Sequence, residues 1–422
     1  MRNLYTAQLR EPLQALIDSG SRINAFKQER YWYPLSVATY DVEEVLAAVD
    51  SLCSFRTTMW EKTAEFERHF SMLQGSTESI MVNSGSSADL LVAFAMVNPA
   101  QPRLQPGDEV LIPSVTWPTH VWSAMMAGLK VRFIDTDPDT LNVDIASLEA
   151  GITDRTRAIS LVHLMGNPCD MDAVQRLCAT RDLVLMEDCC ESLGARFRGR
   201  SVGTFGVAGT FSFFFSHHIT TMEGGMISCD DADLSDLLRL LRAHGWSRNM
   251  RYSVPEASPG IDPRYTFLNW GFNVRPTELQ ASFGLEQLER FPTFHRLRGE
   301  NAAYFAAGFK RYQDLVTLMQ VHPDAECSWF ALPAVVKHDA PFTRDALVAH
   351  LEAAGIETRP IVAGSLARHP VSQLYPELLG AELPGADAVH DRGFYIGLHP
   401  LPHEGKLDRV LETFEAFLGQ YV

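Results

Sequence analysis

Gly209-Thr210-Phe211-Ser212-Phe213-Phe214-Phe215-Ser216-His217-His218-Ile219-Thr220-Thr221-Met222-Glu223-Gly224-Gly225 is the stretch on which the fold of this chain turns. Ala208–Phe215 is rich in aromatic residues and reads as a strand, and Met226–Cys229 reads as a second. Between them lies a polar turn carrying two adjacent histidines and closing on paired glycines. An imidazole in such a turn can give and take protons near neutral pH.

Strand and helix signals alternate upstream of this turn. Ser79–Asn83 is a predicted strand, followed by a helix over Ser86–Val97. Glu109–Pro113, Val131–Asp135, Ala158–His163 and Leu183–Asp188 are further strands. Helices are predicted over Trp117–Ala127 and Met171–Thr180. Alternation of this kind implies a mostly parallel sheet covered by helices. Residues 9–27 suit a short amphipathic helix, and 28–60 form an aromatic lead-in carrying Tyr31, Trp32, Tyr33 and Tyr40. Residues 247–270 make a long connection of the kind that is usually functional. Pro276–Leu288 and a helix near 293–312 follow. A smaller α/β unit starts near 320, with strands 328–336, 356–361 and 393–397 and helices 343–354 and 405–418. The expected division is a lead-in over 1–60, a large domain over 61–315 and a small C-terminal domain over 316–422.

At 422 residues the chain can bury two cores. Its 36 basic and 52 acidic side chains give a net charge of −16, which argues against a nucleic-acid or anionic-membrane binder. No apolar run is long enough for a membrane span, and the first 30 residues lack a secretory pattern. The seven cysteines are scattered without a Cys-Xaa-Xaa-Cys pair, so a disulfide framework is not expected and a cytoplasmic location is. Cys189 and Cys190 read as small core residues, and no metal site is expected.

Ser84-Gly85-Ser86-Ser87 opens a helix directly after a strand. Free N–H groups, hydroxyls and a glycine there suit a phosphate, although the same turn is also an ordinary helix cap. Asp188 ends a strand in Met186-Glu187-Asp188-Cys189-Cys190-Glu191-Ser192, and is either a site carboxylate or an ordinary strand-end residue. Trp117, in Pro113-Ser114-Val115-Thr116-Trp117-Pro118, is either a ligand platform or a core tryptophan.

Taken together, several ordered runs resemble the DegT/DnrJ/EryC1/StrS family of pyridoxal-phosphate sugar enzymes. They are Ser84-Gly85-Ser86, Gly107-Asp108-Glu109, Glu187-Asp188, Ser216-His217-His218, Arg242-Ala243-His244-Gly245-Trp246, Asn273-Val274-Arg275-Pro276 and Arg359-Pro360-Ile361-Val362. The resemblance implies a fold-type I aminotransferase fold, with a mostly parallel mixed sheet in the large domain and a smaller C-terminal α/β domain. It also implies cofactor contacts at Gly85, Ser86, Trp117, Asp188, Glu191, Ser212 and Asn273, the last reaching a neighbouring subunit of a homodimer with shared sites. Asp188 would hold the pyridinium nitrogen protonated, which makes the ring an electron sink. His244, Arg248 and Glu357 are implied on the substrate side, with Arg359 a further candidate for the amino donor's carboxylate.

One departure matters most. The family's aminotransferases carry a lysine, bonded covalently to the cofactor, where this chain has His217. The six lysines are Lys27, Lys62, Lys130, Lys310, Lys337 and Lys406, so none lies in the stretch that builds the cleft. Glu191 likewise stands where those relatives have glutamine. His217 as a base and Glu191 together resemble the family's 3-dehydratases. These use pyridoxamine phosphate and glutamate to deoxygenate a nucleotide-linked 4-keto-6-deoxyhexose in dideoxysugar and lipopolysaccharide biosynthesis, here expected to be GDP-linked. A CDP-, dTDP- or UDP-sugar, a sugar aminotransferase using His217 as base, and a silent binding subunit are the alternatives. His218 is expected to be structural. The family's iron-sulfur 3-dehydratases need clustered cysteines in the loop matching 247–268, where this chain has none, so no iron-sulfur cluster and no reductase partner are expected.

Overall fold

The computed structural model describes residues 4–23, 30–253, 259–378 and 382–422. Residues 24–27 of the expected first helix and 254–258 of the long connection lie outside these. The first helix, α1, runs over Leu4–Ile23.

The strands are β1 (Glu78–Val82), β2 (Glu109–Pro113), β3 (Lys130–Ile134), β4 (Thr156–Val162), β5 (Val184–Asp188), β6 (Arg196–Phe197), β7 (Arg200–Ser201), β8 (Ala208–Ser212), β9 (Gly225–Cys229), β10 (Val316–Leu318), β11 (Ala325–Glu326), β12 (Leu332–Val336), β13 (Thr358–Arg359) and β14 (Gly393–Ile396). A seven-stranded sheet has the order β1-β9-β8-β5-β4-β2-β3. Within it β9 alone runs against its neighbours, pairing antiparallel with β1 and β8. All other pairs are parallel. This is the mostly parallel mixed sheet expected, and it needs helices on both faces because both faces are apolar.

Those helices are α2 (Val42–Cys53), α3 (Glu61–Gln74), α4 (Gly85–Met96), α5 (Pro118–Met126), α6 (Ile145–Gly151), α7 (Met171–Arg181), α8 (Ala232–Arg242) and α9 (Glu278–Phe309). Alternation along each strand sorts the core into faces. Ile80, Val82, Ile112, Val162, Met186 and Ile227 pack with residues of α4, α5 and α8, including Leu91, Val121 and Leu238. On the opposite face Met81, Phe211 and Met226 meet Phe66 and Phe70 of α3 and Phe291 of α9. Farther along that face Leu111, Ile159, Leu161 and Leu185 meet Leu148 and Val174 of α6 and α7.

A second sheet, β10-β12-β14-β13, is entirely antiparallel. It packs with α10 (Arg344–Ala353), α12 (Lys406–Leu418) and the end of α9, while α11 (Pro384–Arg392) packs beside it.

Several boundaries differ from expectation. The segments near 276–288 and 293–312 are one helix, α9, which continues through Pro292. An interior proline costs about 3 kcal/mol. Burial of Phe291, Phe294, Arg298 and Phe305 on either side offsets it. The strand expected at 356–361 joins the sheet only over Thr358–Arg359, with a separate bridge from Ile356 to Tyr33, and the one at 328–336 begins at Leu332. β8 stops at Ser212, not Phe215, because Phe213 accepts from Thr221 and the chain turns.

The lead-in is built into both units. Tyr33 is buried in the second core, donates its hydroxyl to Gly397 O at 3.1 Å and pairs through its backbone with Gly355 and Glu357. Gln287 of α9 donates to Thr39 O (3.1 Å) and to the Glu44 carboxylate (2.6 Å), and accepts from Thr220 N (3.1 Å). One glutamine therefore ties the lead-in to the histidine turn. Tyr33→Ala is expected to lower unfolding free energy by about 3–5 kcal/mol, the range for emptying a large buried aromatic site. Urea unfolding against Tyr33→Phe checks it, since the phenylalanine variant loses only one hydrogen bond, about 1 kcal/mol.

Candidate active site

Open α/β sheets bind ligands beyond the carboxyl ends of their parallel strands, and the candidate residues gather there. The start of α4 is the first component. Ser84 caps it, its Oγ accepting from Ser87 N at 3.1 Å, which leaves the Gly85 and Ser86 N–H groups free at the positive end of a twelve-residue helix. A Cβ at Gly85 would lie 2.6 Å from Ser212 Cβ and 3.0 Å from Cys190 Sγ. Only glycine lets this helix start reach the ends of β8 and β5. The result is a cradle of free N–H groups and the Ser212 hydroxyl that fits a phosphate.

Asp188 is the second component. It is buried, lies between Val162 of β4 and Thr210 of β8, and accepts from Cys190 N at 2.9 Å. No cation of the described residues pairs with it. A buried carboxylate without a counter-ion fits the protonated nitrogen of a pyridine ring. Two neighbours sequence reasoning missed shape its surroundings. Asp89 of α4 accepts from Thr210 Oγ1 at 2.6 Å, and burial followed by the nearby Asp188 charge holds it well above the usual carboxylate range. His120 is held between Thr116 Oγ1 (2.9 Å) and Ser160 Oγ (2.7 Å), and burial lowers its proton affinity although Asp188 pulls the other way. Burial thus shifts both toward their neutral forms beside Asp188.

The next residue in β5, Glu187, points to the opposite face. It accepts from Gly203 N (2.8 Å), Gly206 N (2.7 Å) and His163 Nε2 (3.1 Å), while His163 Nδ1 accepts from Cys169 N. His163, Glu187 and Cys189 are close enough together for a metal ion. The histidine and glutamate atoms are already engaged, however, and they act as a brace for β5.

His217 is the third component. It lines a cavity of about 340 Å³ together with Trp117, Phe330, Glu357, Arg359, Tyr395 and residues 35–37 and 39 of the lead-in. Its ring centroid lies 5.3 Å from that of Phe330, and Nδ1 has no hydrogen-bond partner. Burial pushes its pKa down to about 4, against the pull of the Cys190 backbone and Asp188. It is thus a neutral imidazole at physiological pH, with a lone pair available. His218 is different. It is buried and donates from Nε2 to Ser328 O at 2.7 Å, the structural role expected of it.

Trp117 is 57 % exposed at the cavity wall, which rules out the core alternative. Glu191 accepts from Met165 N at 2.9 Å, and burial lifts its pKa to about 7, so it can donate as well as accept near neutrality. Glu357 is buried in the cavity wall, but both oxygens are occupied, by Leu35 N (3.0 Å) and Arg359 Nη2 (2.9 Å).

Asn273, His244 and Arg248 do not join this group. All three are exposed. Ala243 and Asn273 form an isolated backbone bridge, and Arg248 lies over Trp246 beside a separate cavity of about 440 Å³ that also holds Arg275 and Trp60. The lead-in and Arg298 are cavity components that sequence patterns did not mark. Only the aromatic clustering at 31–40 hinted at the first.

A seven-stranded mixed sheet with a phosphate cradle, a pyridinium-type carboxylate and a smaller α/β unit closing over them defines a fold-type I pyridoxal-phosphate enzyme. Comparison with known proteins gives the family: residues 39–415 match the DegT/DnrJ/EryC1/StrS aminotransferase family, and the chain belongs to it. It is 38 % identical to GDP-4-keto-6-deoxy-D-mannose 3-dehydratase of Escherichia coli O55:H7, over 91 % of this chain and 99 % of that one. Identity to the Yersinia pseudotuberculosis enzyme of the same name is also 38 %, over 87 % and 94 %. A solved structure of the E. coli enzyme with bound hydrated PLP superposes with a TM-score of 0.86 at 37 % identity, covering 90 % of this chain and 99 % of that one. Another structure of a GDP-4-keto-6-deoxymannose-3-dehydratase holds a trapped PLP-glutamate geminal diamine, with a TM-score of 0.86 at 37 % identity over 90 % of this chain and all of that one.

Two predictions follow from this geometry. Gly85→Ala is expected to weaken pyridoxal-phosphate affinity by at least about tenfold, the loss of roughly 1.4 kcal/mol of phosphate contact. Fluorescence titration checks it, with circular dichroism as a fold control. The second concerns pH. His217 is neutral when folded, whereas an unfolded histidine protonates near 6.5. Between pH 6.5 and about 4 the unfolded chain therefore binds the extra proton, and stability falls as pH drops through that window. His217→Asn is expected to flatten that part of the stability–pH curve.

Proposed function

We propose that this protein is a pyridoxamine-phosphate-dependent 3-dehydratase that removes the C3 hydroxyl of a nucleotide-linked 4-keto-6-deoxyhexose, GDP-linked by preference. The carrying observation is His217: a neutral imidazole with a free ring nitrogen where the lysine-bearing relatives form a covalent bond. When bound, the cofactor supplies an amine that condenses with the C4 ketone and a ring that stores electrons.

The chain's own groups do the rest. Gly85, Ser86 and Ser212 hold the phosphate. Trp117 covers the ring face, and Asp188 keeps the ring nitrogen protonated. Glu191, poised near neutrality, would meet the ring hydroxyl when the cofactor is bound. His217 takes a proton at the carbon bearing the amine and returns it to the C3 oxygen as that bond breaks, so one imidazole serves both transfers. The C3 oxygen leaves as water, the amine nitrogen leaves as ammonia when water restores the C4 ketone, and the two electrons come finally from glutamate, which departs as its keto acid.

We place Asn273, His244 and Arg248 in the site of a second copy, as a homodimer with shared sites requires; their exposure, and their absence from the lining of the His217 cavity, support this. The division into a lead-in (1–60), a cofactor-binding domain (61–315) and a small domain (316–422) belongs to the same reading, as does the absence of an iron-sulfur cluster and a reductase partner. No helix of the described residues is long and apolar enough to cross a membrane, and the seven cysteines are unpaired. Both facts fit a cytoplasmic enzyme.

Mass spectrometry tests the reading. The protein is mixed with pyridoxal phosphate, excess glutamate and GDP-, CDP-, dTDP- and UDP-4-keto-6-deoxyhexoses in separate reactions. A product one oxygen lighter, formed fastest from the GDP-sugar, is expected; a 4-amino sugar would overturn it. His217→Asn is expected to reduce turnover by about 10²–10⁴-fold, the usual contribution of a general acid–base.

A further inference from the structure

Strand β14 packs one face into the core of the smaller unit and turns the other toward His217. Phe394 and Ile396 are buried in that core, and the alternation of side chains along a strand sends Tyr395, between them, to the opposite side. There Tyr395 lines the same cavity as His217 and Trp117. Its backbone is held on both edges, paired with Pro333 of β12 and with Arg359 of β13. The phenol has no hydrogen-bond partner among the described residues, and it is not among the polar atoms sealed from solvent, so it opens on the cavity. Burial, and after it the nearby Glu191 charge, pushes its pKa up to about 12, with Arg359 pulling the other way. It is therefore a neutral hydroxyl at physiological pH, able to donate and to accept.

The other polar groups of the wall are less suited to reading a ligand. Glu357 and Arg359 hold each other at 2.9 Å. The unpartnered hydroxyls of Ser36 and Ser216 stand on a loop and a turn, whereas Tyr395 projects from a paired strand. A group on a rigid element is placed more accurately than one on a loop.

The chemistry of the substrate narrows what this hydroxyl meets. In a nucleotide-linked 4-keto-6-deoxyhexose the C1 oxygen carries the nucleotide, the C3 hydroxyl leaves, the C4 ketone condenses with the cofactor amine, and C6 is a methyl group. One hydroxyl remains, at C2. We propose that Tyr395 is a specificity-determining residue whose phenol hydrogen-bonds the C2 hydroxyl, so that the protein takes hexoses bearing that hydroxyl in preference to their 2-deoxy counterparts. This rests on the proposed function and defines the substrate class within it. Selection comes from the unmade bond: with a 2-deoxy sugar seated, the phenol has lost its water and faces a C–H group instead.

The test uses the pyridoxamine-phosphate-loaded full chain and its Tyr395→Phe variant, which loses a single oxygen atom. The probes are GDP-, CDP-, dTDP- and UDP-linked 6-deoxyhexoses with a C4 hydroxyl, which cannot condense with the amine, and their 2-deoxy and 3-deoxy counterparts. Binding is measured by calorimetry. The unaltered chain is expected to bind the parent sugar about tenfold (1.4 kcal/mol) more tightly than the 2-deoxy sugar. Tyr395→Phe is expected to cut that preference below about twofold and to leave the preference over the 3-deoxy sugar unchanged. The assignment is overturned if the unaltered chain does not discriminate, if the variant still does, if the variant loses the 3-hydroxyl preference instead, or if no sugar binds. A variant altered only in its affinity for the cofactor gives the phenol to the cofactor and overturns it as well. A Tyr395-dependent preference without deoxygenation of the keto sugars upholds the C2 contact and removes the dehydratase reading. Deoxygenation without that preference does the reverse.

Discussion

The docking of Ser328 against the turns that follow β4, β5 and β8 is the contact on which the site depends. Its N–H donates to Gly166 O (2.9 Å), its hydroxyl to Leu193 O (2.6 Å), and its carbonyl accepts from His218 (2.7 Å). Gly166 adopts φ +85°, and a Cβ there would lie 1.8 Å from the Ser328 carbonyl, so no other residue permits this approach. Phe330 follows, pairing its N–H with Met165 O and laying its ring against His217. The second unit is thereby stitched to the loop that carries His217, and the cavity is what remains between the two.

That stitching bears on how a histidine could serve at the position where the lysine-bearing relatives form a covalent bond. A lysine fixed to a cofactor is positioned by its own covalent bond. An imidazole has no such tether and needs its surroundings to hold it. Phe330, Phe214 and the neighbouring His218–Ser328 bond supply that restraint. The same apolar packing expels water and keeps the ring neutral, so position and protonation state have one cause. Beside Asp188 the logic repeats, with burial shifting Asp89 and His120 toward their neutral forms.

The parallel strands were legible because both their faces are apolar and glycine or polar turns punctuate them, and the family resemblance supplied roles for the strand-end residues. What sequence could not display was opposition in space. Arg298 and Phe330 are ordinary positions along a helix and a strand lead, and they matter because they meet over His217. The segments at 276–288 and 293–312 read as separate, and packing on either side of Pro292 makes them one helix. The strand expected at 356–361 shrank to Thr358–Arg359 because β14 offers it only Tyr395 and Ile396 as partners. Asn273, His244 and Arg248 were singled out by motif, and within one chain their motif leads away from the cavity. The lead-in could be read as a packing segment, but its place in the cavity wall depends on contacts several hundred residues away.

That distance governs how the protein is made. The Tyr33 hydroxyl and its acceptor Gly397 are 364 residues apart, and the wall formed by residues 35–37 and 39 is held by partners such as Glu357 and Gln287. During synthesis the first part of the pocket emerges at the start of translation and its anchor almost at the end. The sheet and phosphate cradle can form on the ribosome well before the pocket has its wall. The pocket therefore cannot have its full wall until nearly the whole chain has been made.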